Sequence, residues 1–205
     1  MRRRTHYFWL PLLLAGAFLA LPLGSASAGC GSVQWKPAAK RPKHGRPPLA
    51  IGDSTMLLAM DNLSRAGFNV NAHGCRGWEE GLALVRHRAA EKKLPHLVVM
   101  ALGADFTISW RDIRRALHVL GPDRVLGLVT PRELGGGSGS DAVHCREAAA
   151  HYKRRVLLLD WVKYSRGRGG WFQPDGLHLT YAGARAFARL FKRALPYAQP
   201  VAPES

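Results

Sequence analysis

The sequence predicts a single doubly wound (flavodoxin-like) α/β domain, a five-stranded parallel sheet with helices on both faces. Three observations predict it. Five apolar runs of strand length alternate with five amphipathic stretches of helix length. The strand-length runs are continuously apolar rather than alternating, as expected where helices cover both faces of a parallel sheet. Of 205 residues, 47% are hydrophobic and 21% charged, which suits one sizeable core and excludes a chain disordered by composition.

The elements follow in order. Residues 1–28 read as a secretory signal peptide: "MRRR", a 17-residue uncharged apolar run at 7–23, then "SASA" with the small-x-small pattern Ala26-Ser27-Ala28. The alternatives are a retained membrane anchor, for which that run is at the short edge, and lipid attachment at Cys30 in "SAGC", where Ser27 occupies a position that favours Leu. Residues 29–48 ("KPAAKRPKHGRPP" within them) read as a mobile basic Pro-rich linker. The folded domain spans 49–197, and 198–205 form a tail.

Within the domain, "LAIG" (49–52) precedes helix-like "TMLLAMDNLSRAG", and "FNVNA" (68–72) precedes "WEEGLALVRHRAAEKK". "HLVVMAL" (96–102) precedes "WRDIRRALHVLG"; "RVLGLVT" (124–130) precedes a Gly-Ser loop and "DAVHCREAAAHYKR". "RVLLLDWV" (155–162) leads through a loop to "YAGARAFARLFKRAL", with Thr180 as N-cap. In such sheets ligands sit beyond the carboxyl ends of the strands, so the loops at 53–55, 73–77, 103–107, 131–140 and 163–178 are the ones that carry function.

Net charge is +16, or +13 once residues 1–28, with three Arg and no acid, are removed. That favours anionic partners; for an exported chain these are an anionic cell-wall polymer or a membrane surface. Nucleic acid is disfavoured, because the cations are scattered over helices and a tail rather than set in an aromatic-interleaved stripe. Cys75 and Cys145 belong to loops or helix starts at one end of the sheet and are expected to pair, leaving Cys30 lipidated, free or intermolecular. No cofactor or metal is implied. "GGGSGS" (135–140) lacks the Gly-Lys-Ser/Thr ending of a phosphate loop, and His144 and His151 have no acidic companions.

Two stretches carry chemistry. Ser54 in "IGDST" follows a strand and starts a helix. Asp, Ser and Thr are also plain helix caps, so this stretch alone does not require catalysis. In "WFQPDGLHLT", Asp175 and His178 are three apart. The carboxylate can fix the imidazole tautomer and leave Nε2 free to take a proton from a serine. Trp171 and Phe172 stand beside that turn, as walls of an acyl pocket or as core. Together, the order Ser, Asp, His and these flanking blocks resemble the SGNH (GDSL-type) hydrolases, and more narrowly the SGNH domains of bacterial cell-wall O-acetyltransferases, from about Leu49 to Leu195.

The resemblance implies Ser54 as nucleophile, His178 as general base and Asp175 as its orienting carboxylate. In the second block, "NAHGCRGW", it implies an oxyanion donor amide from Gly74 or Cys75, with Arg76 holding the loop or touching substrate. In the third block the family has Gly-x-Asn, and here "LGADF" puts Asp105 at the Asn position. An ionised carboxylate cannot donate a hydrogen bond. Three arrangements would accommodate it: a buried, protonated Asp105; an Asp105 turned toward Arg76 or another Arg; or a domain with little hydrolase activity. The expected function is an exported serine esterase or acyltransferase acting on small O-acyl esters, with an acetylated cell-wall glycan as substrate. The alternative is a degenerate domain that binds an anionic or acetylated envelope polymer.

Overall fold

A computed structural model describes residues 30–200; the expected signal peptide and the last five residues of the expected tail lie outside the described residues. Six strands form one sheet: β1 (Gln34–Lys36), β2 (Leu49–Gly52), β3 (Asn69–Ala72), β4 (Leu97–Ala101), β5 (Val125–Val129) and β6 (Val156–Leu159). Their order is β1-β3-β2-β4-β5-β6. Every neighbouring pair is parallel except β1–β3. Without β1, this is the flavodoxin-like order, with its switch point between β2 and β4.

Alternate residues of each strand feed two cores. Ala50, Val70, Val99, Val129 and Leu159 point to one face. There they meet α2 (Met60–Ala66) and α7 (Tyr181–Lys192), with Phe68 edge to face on Phe191 and Phe187 tilted against Phe191. Leu49, Ile51, Val98, Met100, Leu126 and Leu128 point to the other face. They are covered by α3 (Trp78–Ala90), α4 (Trp110–Leu120) and α5 (Ser140–His151). Helix α4 is fixed at its start by a reciprocal capping box between Ser109 and Asp112. No helix among the described residues is long and apolar enough to cross a membrane.

Three expectations are corrected. The sheet has six strands, because the segment read as a linker contributes the antiparallel edge strand β1. The helix expected after the first parallel strand is two short ones, α1 (Ser54–Leu57) and α2, broken at Leu58-Ala59. Cys75 pairs with Cys30, not with Cys145. Cys145 lies on the inward face of α5 with Ala142 and Ala148, and is fully buried and unpaired. Burial pushes its thiol up to about 12. Cys75, in the turn after β3, instead faces the N-terminal segment. A lipid thioether at Cys30 would need the same sulfur that the disulfide uses.

Candidate functional site

Strand β2 delivers the chain to Asp53, and the helix start divides its roles between neighbours. Asp53, not Ser54, is the N-cap: its Oδ1 accepts from the Thr55 amide at 3.0 Å and the Thr55 hydroxyl at 2.6 Å. Its Oδ2 accepts from the Ala104 amide at 3.4 Å, tying the first loop to the third. Burial pushes the Asp53 carboxyl up, against these hydrogen bonds, and nearby Asp105 adds to the rise. Ser54 is thereby freed from capping. Its Oγ lies 3.0 Å from His178 Nε2.

His178 Nδ1 is 2.6 Å from Asp175 Oδ2, and Asp175 Oδ1 accepts from the Leu177 and His178 amides at 2.9 Å each. With Asp175 as acceptor, the proton sits on Nδ1 and Nε2 presents its lone pair to the serine. Partial burial works to raise the Asp175 carboxyl; hydrogen bonds from the His178 ring and the two amides outweigh it and hold it below the usual range. A hydroxyl, an imidazole and an oriented carboxylate in one hydrogen-bonded line can move a proton off the hydroxyl.

The turn that carries Asp175 and His178 is braced twice. Gln173 and His178 close it (Gln173 N to His178 O, 2.8 Å), and Thr180 caps α7 just beyond. The second brace is Arg132, which the sequence reading did not single out, although it lies in a loop flagged by its place after a strand. Its Nε donates to Gly176 O at 3.2 Å, one Nη to Gly136 O at 2.7 Å and the other to Ser165 Oγ at 3.2 Å. The guanidinium also stacks on Phe172, 4.2 Å from the ring centroid. Gly135 N donates to Asp175 O at 2.8 Å, so the Gly-Ser segment is docked against the turn. Gly176 has φ +70°, and a Cβ there would meet Gly136 N at 2.8 Å; only glycine lets the two loops touch.

Arg76 is 3% exposed and holds the loop rather than facing solvent. It donates to Gly52 O at 3.2 Å and Asn71 O at 3.0 Å, joining the carboxyl ends of β2 and β3, and to Glu80 at 3.0 Å. Cys75 adopts a left-handed turn conformation (φ +54°). Among the described residues, the Ser54, Gly74 and Cys75 amides make no protein hydrogen bond. Asp105 is exposed and, among the described residues, makes no ion pair. Neither the buried arrangement nor the pairing with Arg76 occurs. Trp171 stacks on Trp161 (5.7 Å, 11°) and Phe172 is buried under Arg132, so both belong to the aromatic core behind the turn.

An open groove of about 360 Å³ runs past Ser54 and His178. Gln34 and Gln173 line it, with Leu57, Leu58 and Leu179 as its apolar part.

No protein-family model matches the chain. Its sequence is 29% identical over 153 residues to a putative O-acetyltransferase of Staphylococcus aureus (strain COL), covering 72% of this chain and 25% of that protein. It is 28% identical over 144 residues to the peptidoglycan O-acetyltransferase OatA of Listeria monocytogenes, covering 69% and 23%. The chain thus spans about a quarter of the length of the curated relatives it matches. Among solved structures it superposes on the C-terminal catalytic domain of Streptococcus pneumoniae peptidoglycan O-acetyltransferase A, which carries a methylsulfonyl adduct. There the TM-score is 0.65 at 25% identity, covering 75% of this chain and 94% of that one. A putative acylhydrolase from Bacteroides fragilis shares the fold (TM-score 0.57, 13% identity, 77% and 90% covered).

Proposed function

We propose that this chain, which has the fold of the SGNH hydrolases and a sequence similar to that of peptidoglycan O-acetyltransferases, is an exported serine esterase or O-acyltransferase acting on acetyl esters of a cell-wall glycan. The observation that carries the reading is the hydrogen-bonded line from Ser54 Oγ through His178 to Asp175. Ser54 Oγ attacks the ester carbonyl carbon and passes its proton to His178 Nε2. The tetrahedral intermediate collapses, the C–O bond to the leaving alcohol breaks, and His178 returns the proton to that oxygen. Water or a sugar hydroxyl then attacks the acyl-enzyme by the same route, giving hydrolysis or transfer. Unengaged amides of Ser54 and of Gly74 or Cys75 supply the oxyanion donors.

The test is p-nitrophenyl acetate hydrolysis by the purified protein and by Ser54→Ala. The variant is expected to lose about 10⁴-fold or more in turnover. Equal rates for the two proteins would rule the reading out. One observation favours a second reading, a degenerate domain that binds an envelope polymer: the exposed Asp105 carboxylate stands where the family has an amide donor. Near-zero rates for both proteins would support it.

A further inference from the structure

The segment that precedes the first parallel strand is built into the rim of the groove. Strand β1 pairs with β3 in the register Gln34↔Ala72, and β2 pairs with β3 in the register Gly52↔Ala72. Gln34, Ala72 and Gly52 therefore form one row across the carboxyl edge of the sheet, two residues short of Ser54.

The strap is held at each step. Cys30 is bonded to Cys75, and Gly31 O lies 3.1 Å from His73 Nε2. Arg88 stacks on Trp35 at 4.5 Å, Lys36 pairs with Asp61, and Pro37 O accepts from Ser64 Oγ at 2.6 Å. Gly74 lets the strap approach closely, because a Cβ there would collide with the Cys30 carbonyl. So fixed, the exposed Gln34 lines, with Gln173, the groove that passes Ser54 and His178.

We propose that the strap Cys30–Lys36 completes the substrate site and that Gln34 is a specificity-determining residue, binding a neutral, hydroxyl- and amide-bearing chain beside the reacting ester. Among the described residues the lining carries no Asp, Glu, Lys or Arg, although the protein is strongly basic. Gln34 offers donors and an acceptor, and Gln173, whose Nε2 donates one hydrogen to Leu179 O at 3.2 Å, keeps its other N–H and its acceptor; this suits groups that both give and take hydrogen bonds. Leu57, Leu58 and Leu179 suit the C–H face of a sugar or the methyl of an N-acyl group. A groove of about 360 Å³ holds a unit of that size.

The proposal rests on Ser54 being the nucleophile of this groove, and its test separates the two. Binding of tetra-N-acetylchitotetraose is measured by titration calorimetry for the wild-type protein, Gln34→Ala, Gln34→Asn and Arg111→Ala. Both Gln34 variants are expected to bind about tenfold more weakly, the effect of losing one or two hydrogen bonds; Arg111→Ala, on the outer face of α4, matches wild type. Because Gln34 is exposed, both variants should keep the wild-type melting curve. Equal affinities across all four proteins, or no binding by wild type, would overturn the proposal. A Gln34 effect on binding would stand even if Ser54→Ala left p-nitrophenyl acetate turnover unchanged.

Discussion

Asp53, Ser54 and Thr55 show how three neighbouring residues, all good helix caps, come to differ. Asp53 takes the cap and is buried, Thr55 bonds to Asp53, and Ser54 alone turns its hydroxyl toward His178. Capping and nucleophilicity therefore do not compete for one oxygen. Ser54, Asp175 and His178 were legible because strand–Ser–helix and Asp-x-x-His are local patterns, and the structure places them in one hydrogen-bonded line. Arg132 and Gln34 were not legible: their partners are loops and strands brought near only by the fold. At Asp105 the question is charge. An Asp105→Asn variant restores a donor and removes a negative charge beside the site, and its p-nitrophenyl acetate turnover is expected to rise by up to about 10²-fold. An unchanged rate would mean that the third loop contributes nothing to the oxyanion site.

The strap decides how the second loop is held. Sequence composition hid it, because Pro, Gly and Lys dominate 29–48 and a three-residue edge strand leaves no periodicity to read. What orders it are distant partners: Cys75, Arg88 and Asp61. The same blindness misassigned the disulfide, since sheet-end topology put Cys75 and Cys145 together while the inward face of α5 took Cys145 into the core. The Cys30–Cys75 bond closes a loop across 45 positions. By chain entropy such a bond contributes about 2–4 kcal/mol. Cys30→Ser is expected to lower the melting temperature by about 5–15 °C in a scan of the non-reduced protein. A loss of under a degree would mean that β1 pairing and the Trp35 stack suffice.

Over the whole molecule, four of the five parallel strands lie within a residue of where continuous apolar runs placed them; the fifth run, 155–162, overshoots β6 by three residues, because Asp160 caps a short helix at Trp161–Tyr164. Charge is segregated. Arg86 on α3 and Arg111, Arg114 and Arg115 on α4 outnumber Glu79, which pairs with Arg86 and Arg115, and form a net basic face, while among the described residues the groove beside Ser54 carries no Asp, Glu, Lys or Arg. Attraction to an anionic wall and recognition of the reacting unit can thus be separate tasks of separate surfaces. Acid sensitivity is also a property of the whole. Asp160 is partly buried, yet Arg146 (2.8 and 3.0 Å), the Lys163 amide and Thr130 hold its carboxyl below the usual carboxylate range, and Asp175 is lowered in the same sense. Groups lowered on folding stabilise above the unfolded value and lose that contribution as pH falls through the folded one. Asp53, raised by burial, works in the opposite sense, since folding favours its protonated form. The melting temperature is expected to fall below about pH 4, as followed by circular dichroism, once the lowered carboxylates take up protons. A steady rise into acid would show that Asp53 outweighs them.

The strap has one more consequence, for where this domain can be said to begin. Strand β1 occupies the outer edge of β3, whose backbone would otherwise be open. A chain cut at Leu49, where the apolar periodicity starts, would keep Ser54, Asp175 and His178 but present an unpaired parallel edge, a ready template for a second chain. The unit whose β3 edge is covered therefore starts near Cys30, so the border of the candidate site and the border of the paired sheet lie about one strap apart.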